Sequence, residues 1–253
     1  MGEDKAMDLF FELFSGLPRQ GPGDSNSTLR ALSLIPTPGP DARILDIGCG
    51  TGAQTFDLAG SSSAQIIAVD LHRPFVDELN EKAARLGLAE RIHAAVGDMN
   101  HLDFPPRHFD LIWSEGAIYN MGFDAGLEAW RALLRQGGHV AVSELCWLQV
   151  ERSPECEEWL TGEYPAIRDV AANRRAIERA GYHLVGDFPL PSSAWWTDYY
   201  LPLERNIAAF RDRHPGDPTA SAIAEQSEHE IAMFRRCSGE YGYVFFVMRV
   251  HER

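Results

Sequence analysis

Three glycines with alternate spacing follow a short apolar run near the start of the chain. Gly48, Gly50 and Gly52 lie within residues 46–52, directly after the run at residues 44–47. Glycine lets the backbone turn sharply and come close to a ligand without an intervening side chain. The pattern therefore predicts a ligand-binding loop at the carboxyl end of a buried strand.

The glycine spacing and the neighbouring acid bear on which ligand the loop binds. A dinucleotide fingerprint has its third glycine three residues after the second. Here that position holds Ala53, which the fingerprint tolerates, so spacing alone leaves a dinucleotide open. Asp46 directly precedes the loop, and a carboxylate there would repel a pyrophosphate. Asp46 therefore favours a cationic ligand without phosphate.

Two more acids follow the next two predicted strands. Asp70 ends the run at residues 66–69, where a carboxylate can accept both hydroxyls of a ribose. Asp98 and Met99 follow the strand predicted over residues 92–96. Either acid could instead be a helix N-cap. Acids at the tips of successive parallel strands should converge at one edge of the sheet, so we interpret them as one site.

Residues 46–52 resemble the first motif of the class I S-adenosylmethionine-dependent methyltransferases. Over residues 43–144 the chain is similar to their ubiquinone/menaquinone-biosynthesis-like branch of small-molecule enzymes. The resemblance implies S-adenosyl-L-methionine as cofactor and methyl transfer to a small molecule. It implies no metal. Two alternatives stay open: an NAD-dependent oxidoreductase, and a non-catalytic module that binds adenosylmethionine.

The resemblance also implies roles for individual residues. The glycine loop should lie under the methionine part of the cofactor, with Asp46 near its amino group. Leu71 should pack on the adenine, whose amino group should donate to Asp98, while Met99 adds its backbone N–H or packing. The expected cofactor-binding residues are Asp46, Gly48, Cys49, Gly50, Gly52, Asp70, Leu71, Asp98 and Met99.

Two glutamates at strand ends are the candidate catalytic residues. Glu115 ends the fourth predicted strand and Glu144 follows the fifth. Methyl transfer is a direct displacement, so a base is needed only where the acceptor atom arrives protonated. We expect Glu115 or Glu144 to orient the acceptor or take its proton. Strand-end acids can equally serve as loop caps, cofactor contacts or ion-pair partners.

An aromatic cluster on a proline-flanked segment is the candidate substrate contact. It contains Trp195, Trp196, Tyr199 and Tyr200, and Tyr119 joins it from the loop after the fourth strand. Such a cluster could form core for the following helices. It could also wall an apolar or cationic substrate pocket. The sequence does not choose between the two.

Strands that alternate with helices must position these residues. Continuous apolar runs separated by helical segments predict a parallel sheet covered on both faces. The fold class is α/β, with a Rossmann-like seven-stranded methyltransferase sheet. The last strand should be antiparallel, N-terminal helices should precede the sheet, and helices should be inserted before the last strand. The strands are predicted at residues 44–47, 66–69, 92–96, 111–113, 139–143, 181–188 and 243–250.

We expect a single domain over residues 1–253. Residues 1–40 should form N-terminal helices, residues 41–150 the cofactor-binding core, and residues 151–253 the remaining sheet with a helical cap. The glycine- and proline-rich residues 18–25 are a candidate lid over the cofactor, with Arg19 or Gln20 touching its carboxylate. The alternative is a plain surface connector.

Composition limits the partners. The formal net charge of −14 disfavours nucleic acid and anionic membranes, which need a basic surface. The chain shows no signal peptide pattern, and its four cysteines form no C-x-x-C pair, which favours a cytoplasmic protein without a zinc ribbon. A monomer and a homodimer are equally compatible with the sequence.

Overall fold

The computed structural model of the chain describes residues 2–251. The predicted domain of residues 1–253 thus includes residues 1, 252 and 253, which lie outside the described residues. No helix among the described residues is long and apolar enough to cross a membrane.

The strands and helices alternate through the first half of the chain. Helices α1 (Gly2–Phe14) and α2 (Ser25–Leu32) precede the sheet, and Asp24 caps α2 by accepting from the Ser27 N–H. The alternating core consists of β1 (Arg43–Ile47), α3 (Ala53–Ser61), β2 (Gln65–Asp70), α4 (Arg73–Arg85), β3 (Ile92–Val96), β4 (Phe109–Glu115), α5 (Phe123–Arg131) and β5 (Leu134–Trp147).

The second half adds the rest of the sheet and a helical cap. It consists of α6 (Pro154–Glu163), β6 (Arg168–Asp169), α7 (Val170–Arg179), β7 (Tyr182–Pro189), α8 (Ser193–Trp195), α9 (Leu201–Arg213), α10 (Pro218–Cys237) and β8 (Tyr241–Val250). A π-helical turn, Trp196–Tyr200, joins α8 to α9. The predicted helical insertion before the last strand is therefore confirmed.

One sheet in the order β3-β2-β1-β4-β5-β8-β7 organises the described residues, and β6 pairs with β5 at its side. Strands β1 to β5 are parallel, and β8 is antiparallel to both β5 and β7. The predicted fold class is confirmed, with the short β6 as an additional strand. Parallel strands present their carboxyl ends at one edge, which brings the ends of β1 to β5 together.

Both faces of the central strands β1 and β4 are buried, as the continuous apolar runs predict, whereas the edge strand β3 is largely exposed. In β5, Ala141 packs with the α3 and α9 side of the core, whereas Val140 and Val142 pack with α5 and α7. The alternation of side chains along a strand produces this division. It also decides which strand-end side chains face the cap and which face α5 and α7.

One predicted helix end is wrong. The sequence predicts a helix over residues 127–134 that is closed by Gly137 and Gly138. In the structure this helix is α5, which ends at Arg131, and Leu134 already belongs to β5. The register between β4 and β5 shifts between Phe109 and Leu111, so β5 carries its glycines inside the strand. Glycine inside a strand commonly marks such an irregularity, a reading that competes with a helix stop.

Candidate functional site

A cavity of about 890 Å³ lies at the carboxyl ends of β1 to β4. Small-molecule sites usually span roughly 300–1,000 Å³. We call it the first cavity. Strand ends supply Ile47–Gly50, Asp70, Leu71, Gly97–Asn100 and Glu115–Ala117, while the N-terminal part of the chain supplies Phe10, Phe11, Phe14 and residues 19–22.

The glycine loop forms the floor of the first cavity. Gly48 and Gly50 have φ angles of +72° and +52°, which glycine adopts readily. The Gly48 and Cys49 N–H groups donate to the Val69 carbonyl oxygen at 2.8 and 3.1 Å, which ties the loop to β2. A Cβ on Gly48 would lie 2.4 Å from the Ala117 Cβ, so the loop and the end of β4 approach too closely for any side chain.

Asp70 and Leu71 lie side by side in the first cavity. The Asp70 carboxylate accepts the Gly50 N–H at 2.8 Å and the His72 N–H at 2.9 Å, which fixes its position at the tip of β2. Leu71 exposes 63% of its surface within the wall of the cavity. A carboxylate next to an uncovered apolar side chain suits a ribose beside a flat aromatic base.

Asp98 and Met99 line the first cavity after β3, the strand that pairs with β2. Asp98 accepts from the Asn100 backbone N–H and side-chain amide, both at 2.9 Å. These hydrogen bonds lower the pKa of Asp98 below its ordinary value. An ionised carboxylate is thus available at the place where the sequence predicts an acceptor for an amino group.

Asp46 lies behind the glycine loop, and its side chain is outside the cavity lining. It is completely buried and accepts from Thr55 Oγ1 at 2.5 Å and from Gln54 Nε2 at 3.3 Å. The strand directs this side chain toward α3, which corrects the expectation of a place beside the ligand. Gly52, the N-cap of α3, also lies outside the lining.

Glu115 lines the first cavity, but its oxygens are engaged. Oε2 accepts from Arg19 Nη1 at 2.9 Å, and Oε1 accepts from Thr28 Oγ1 at 2.7 Å and Trp113 Nε1 at 2.9 Å. Burial raises the pKa of Glu115, and the Arg19 charge opposes that rise. This arrangement favours a structural ion pair over proton transfer to an acceptor.

Glu144 faces the other side of β5 and lines neither cavity described here. Its Oε1 accepts from the Tyr164 hydroxyl at 2.7 Å, and its Oε2 has no hydrogen-bond partner among the described residues. Any effect on an acceptor would therefore pass through Tyr164. Burial raises the pKa of Glu144 to about 7.

The raised pKa of Glu144 makes a prediction about stability. The folded state holds its proton up to about pH 7, whereas the unfolded chain releases it near pH 4.5. Stability from this group is complete below pH 4.5 and is lost as pH rises toward 7. Glu144→Gln should therefore raise the free energy of unfolding at pH 8, by at most about 3 kcal/mol, with no gain at pH 4.

Urea denaturation of wild type and variant at both pH values measures this difference. Glu158→Gln is the matched control, because Glu158 is exposed on α6. An equal effect of Glu144→Gln at pH 4 and pH 8 would contradict the assignment of a titrating buried carboxyl group.

A second cavity of about 300 Å³ adjoins the first and shares Phe10, Phe14, Gly116, Tyr119 and residues 20–22 with it. Of the predicted substrate residues, Tyr119, Trp195 and Tyr199 line it. Trp196 lines neither cavity. Its ring packs on Tyr200 and Phe234, with the Arg235 guanidinium 5.1 Å away, which corrects the expectation for Trp196.

Several lining residues had no place in the sequence prediction. Phe10, Phe11 and Phe14 reach the first cavity from α1, and Tyr164 and Glu230 line the second. The sequence held one signal for Glu230. It is a charged residue on the same face of α10 as Ser227 and Phe234, which are both buried. The contact of α1 with the carboxyl edge of the sheet joins residues that are far apart in the chain, so no local sequence pattern predicts it.

The predicted lid segment, residues 18–25, lines both cavities through residues 20–22. Its backbone N–H groups at Arg19 and Gly23 donate to the carbonyl oxygens of Asp198 and Ala194 in the cap. Gln20 Oε1 accepts the Thr51 N–H at 3.0 Å, on the glycine loop. Arg19 is committed to Glu115 and Asp57. Opening of this segment as a lid stays a prediction.

A group of metal-ligand type lies away from both cavities. The ligand atoms of Cys156, Cys237 and Glu240 lie within 4.8 Å of one another. Glu240 Oε2 already accepts the Ser153 N–H at 2.8 Å, and burial raises the pKa of the Cys156 thiol. These contacts favour protonated thiols.

The geometry agrees with a known family. Residues 44–138 match the family model described as a methyltransferase domain. Residues 44–138 are therefore the segment of this chain that resembles a methyltransferase domain. That segment holds the glycine loop, Asp70, Asp98 and Glu115, so the domain match and the first cavity coincide.

Proteins with solved structures share the fold of this chain. A SAM-dependent methyltransferase from Geobacter sulfurreducens, solved with S-adenosyl-L-homocysteine, superposes with a TM-score of 0.82 at 19% identity, covering 96% of this chain and 98% of that one. The [4+2]-cyclase SpnF superposes with a TM-score of 0.71 at 20% identity, covering 89% and 80%. The predicted class I methyltransferase fold is confirmed.

Curated relatives match over part of their length. Phosphoethanolamine N-methyltransferase 1 of Arabidopsis thaliana is 26% identical over 144 residues, which are 56% of this chain and 29% of that protein. The chain covers 29%, 30% and 56% of the first three curated relatives. The similarity therefore concerns the methyltransferase domain rather than those whole proteins.

Proposed function

We propose that this protein binds S-adenosyl-L-methionine in the first cavity and transfers its methyl group to a small-molecule acceptor. The observation that carries the proposal is the convergence of the glycine loop, Asp70 and Asp98 on one cavity within a methyltransferase domain. The [4+2]-cyclase SpnF has a similar structure, so the fold alone does not specify the reaction.

The residues present fit this cofactor. Gly48 and Gly50 line the first cavity without side chains, and Leu71 offers an apolar surface for an adenine. Asp70 would hold the ribose hydroxyls and Asp98 the adenine amino group. Of the described lining residues of the first cavity, Arg19 is the sole Lys or Arg, and its charge is paired with acids. The cavity thus suits a cationic, phosphate-free cofactor better than a dinucleotide.

When bound, S-adenosylmethionine supplies a methyl carbon on a positively charged sulfur. After an acceptor atom takes the methyl group, the sulfur keeps the electrons of the broken bond and becomes a neutral thioether. The chain contributes position and exclusion of water. Residues 20–22 and Tyr119 lie where the two cavities meet, which is where an acceptor would approach. Glu115 holds Arg19, and with it residues 18–25, in place rather than acting as a base.

Finer aspects belong to the same proposal. The resemblance over residues 43–144 supports the ubiquinone/menaquinone-biosynthesis-like branch. The net charge of −14 supports a small-molecule acceptor over nucleic acid. The four free cysteines support a cytoplasmic site of action.

Isothermal titration with S-adenosylmethionine, S-adenosylhomocysteine and NAD tests the proposal. The first two should bind and NAD should not. Leu71→Ser should weaken S-adenosylhomocysteine at least about tenfold by removing apolar contact with the adenine. Its free energy of unfolding should stay unchanged, because the side chain is 63% exposed. Leu86→Ser is the matched control, since Leu86 is 57% exposed and lines neither cavity.

Two outcomes would overturn the proposal. Binding of NAD without binding of S-adenosylhomocysteine would reassign the cavity to a dinucleotide. Equal S-adenosylhomocysteine affinity for Leu71→Ser, Leu86→Ser and wild type would show that the cofactor binds elsewhere.

A further inference from the structure

The second cavity combines aromatic walls with a carboxylate. Half of its twenty lining residues are Phe, Trp or Tyr, and they surround the space from α1, α6, α8 and β8. Trp195 and Tyr243 lie with ring centroids 5.5 Å apart, and Tyr119 and Tyr164 lie 6.1 Å apart. Rings at such separations present faces and edges to one small volume, which is the arrangement that binds organic cations.

Glu230 supplies the negative charge in this cavity. Its Oε1 accepts from the Tyr200 hydroxyl at 2.8 Å, and the Tyr199 hydroxyl is a second donor. Among the described residues no Lys or Arg pairs with Glu230 or lines the cavity. Burial raises the pKa of Glu230, because the ionised carboxylate is poorly solvated there. No Lys or Arg among the described residues offsets this cost of ionisation. A bound cation would offset that cost.

A buried hydroxyl points to the same conclusion. Tyr241 lines the cavity, and its Oη has no hydrogen-bond partner among the described residues. Buried polar groups are nearly always paired in folded proteins, so an orphan in a cavity wall indicates a partner supplied by a ligand or a water.

Neither cavity offers a Lys or Arg side chain that is free to bind a phosphate. Among the described lining residues of both, the single Lys or Arg is Arg19, which is 6% exposed and bound to Asp57 and Glu115. An anionic group on the acceptor would therefore meet Glu163 and Glu230 with no free Lys or Arg as a counter-charge. Phosphate recognition usually requires Arg, Lys or a helix N-terminus.

We propose that the second cavity is the acceptor site and that it recognises a compact organic cation without phosphate, held by Glu230 and the surrounding aromatic rings. This inference rests on the proposed function, because the acceptor must reach a methyl donor in the first cavity. The volume of about 300 Å³ fits a small amine rather than a sterol-sized ligand. Where the ammonium nitrogen is itself the acceptor atom, it gives one proton to the Glu230 carboxylate, and the freed lone pair attacks the methyl carbon. The two cavities share Tyr119 and residues 20–22, which places the bound cation next to the donor site.

The test uses choline, its neutral isostere 3,3-dimethylbutan-1-ol, and phosphocholine as probes. Each is titrated calorimetrically into the full-length protein saturated with S-adenosylhomocysteine. Choline should bind at least about tenfold more tightly than the isostere, and phosphocholine should bind more weakly than choline. The comparison between choline and its isostere needs no variant, so it stands even where a substitution harms folding.

Variants then locate the charge. Glu230→Gln should weaken choline at least about tenfold and leave S-adenosylhomocysteine affinity unchanged. Glu225→Gln on the same helix, with its side chain in solvent, is the matched control and should not alter either affinity. Circular dichroism reports whether each variant is folded.

The outcomes separate this inference from the proposed function. Failure of S-adenosylhomocysteine to bind would overturn the proposed function. Normal S-adenosylhomocysteine binding with equal affinity for choline and its isostere would show an apolar site and overturn the cationic assignment. Tighter binding of phosphocholine, or no binding of any probe, would also overturn the inference while leaving the proposed cofactor in place.

Discussion

Arg19→Met should lower the free energy of unfolding by about 3–5 kcal/mol, because it leaves a buried carboxylate without its cation. The Arg19 side chain is 7% exposed, and it pairs with Glu115, which is 4% exposed, at 2.9 Å. Its second ion pair, at 3.2 Å, is with Asp57 on α3. Removal of one partner from a buried pair costs far more than the net contribution of the pair itself.

The loss should depend on pH. Without Arg19, the pKa of Glu115 rises further above its ordinary value, since burial already raises it and the opposing charge is gone. The folded variant then holds a proton on Glu115 at low pH and must release it as pH rises. The difference from wild type should therefore be smaller at pH 5 than at pH 8. The double variant Arg19→Met/Glu115→Gln should recover part of the loss at pH 8.

Urea denaturation at the two pH values measures these effects. Arg211→Met is the matched control, because Arg211 is exposed and makes one ion pair, with the exposed Glu228. Exposed pairs contribute about 0–1 kcal/mol. If Arg19→Met proves no more harmful than Arg211→Met, the ion pair does not anchor the N-terminal segment.

Gly48→Ala should abolish tight S-adenosylhomocysteine binding, with at least about a tenfold loss of affinity. The new Cβ would lie 2.4 Å from the Ala117 Cβ, whereas ordinary contacts are 3.4–4 Å. Either the glycine loop or the end of β4 must move by about 1 Å, and both line the first cavity. The left-handed φ of +72° adds roughly 1–2 kcal/mol of backbone strain.

Gly87→Ala isolates the backbone part of this effect. Gly87 has a φ of +69° after α4, and nothing lies within 4 Å of its added Cβ. It should cost about 1–2 kcal/mol of stability and leave cofactor affinity unchanged. Calorimetric titration of S-adenosylhomocysteine into both variants gives the comparison. Equal S-adenosylhomocysteine affinities of Gly48→Ala and Gly87→Ala would mean that the close approach of Gly48 to Ala117 has no influence on ligand binding.

Much of the fold followed from local patterns. Apolar runs between helical segments indicated β1 and β2, because strands buried on both faces tolerate few polar side chains. The edge strand β3 is largely exposed. The ends of α5 and β5 were not predictable, because Gly137 is compatible with both a helix stop and an irregular strand.

The sequence by itself determined that acids and glycines at successive strand ends meet at one edge, because parallel strands point the same way. Tertiary structure alone decided what each side chain faces. Alternation along β1 turns Asp46 away from the first cavity, and the folding back of residues 19–22 engages Glu115. Glu230 joins Tyr199 and Tyr200 only because α10 crosses the cap. Such contacts join residues far apart in the chain, so no local pattern encodes them.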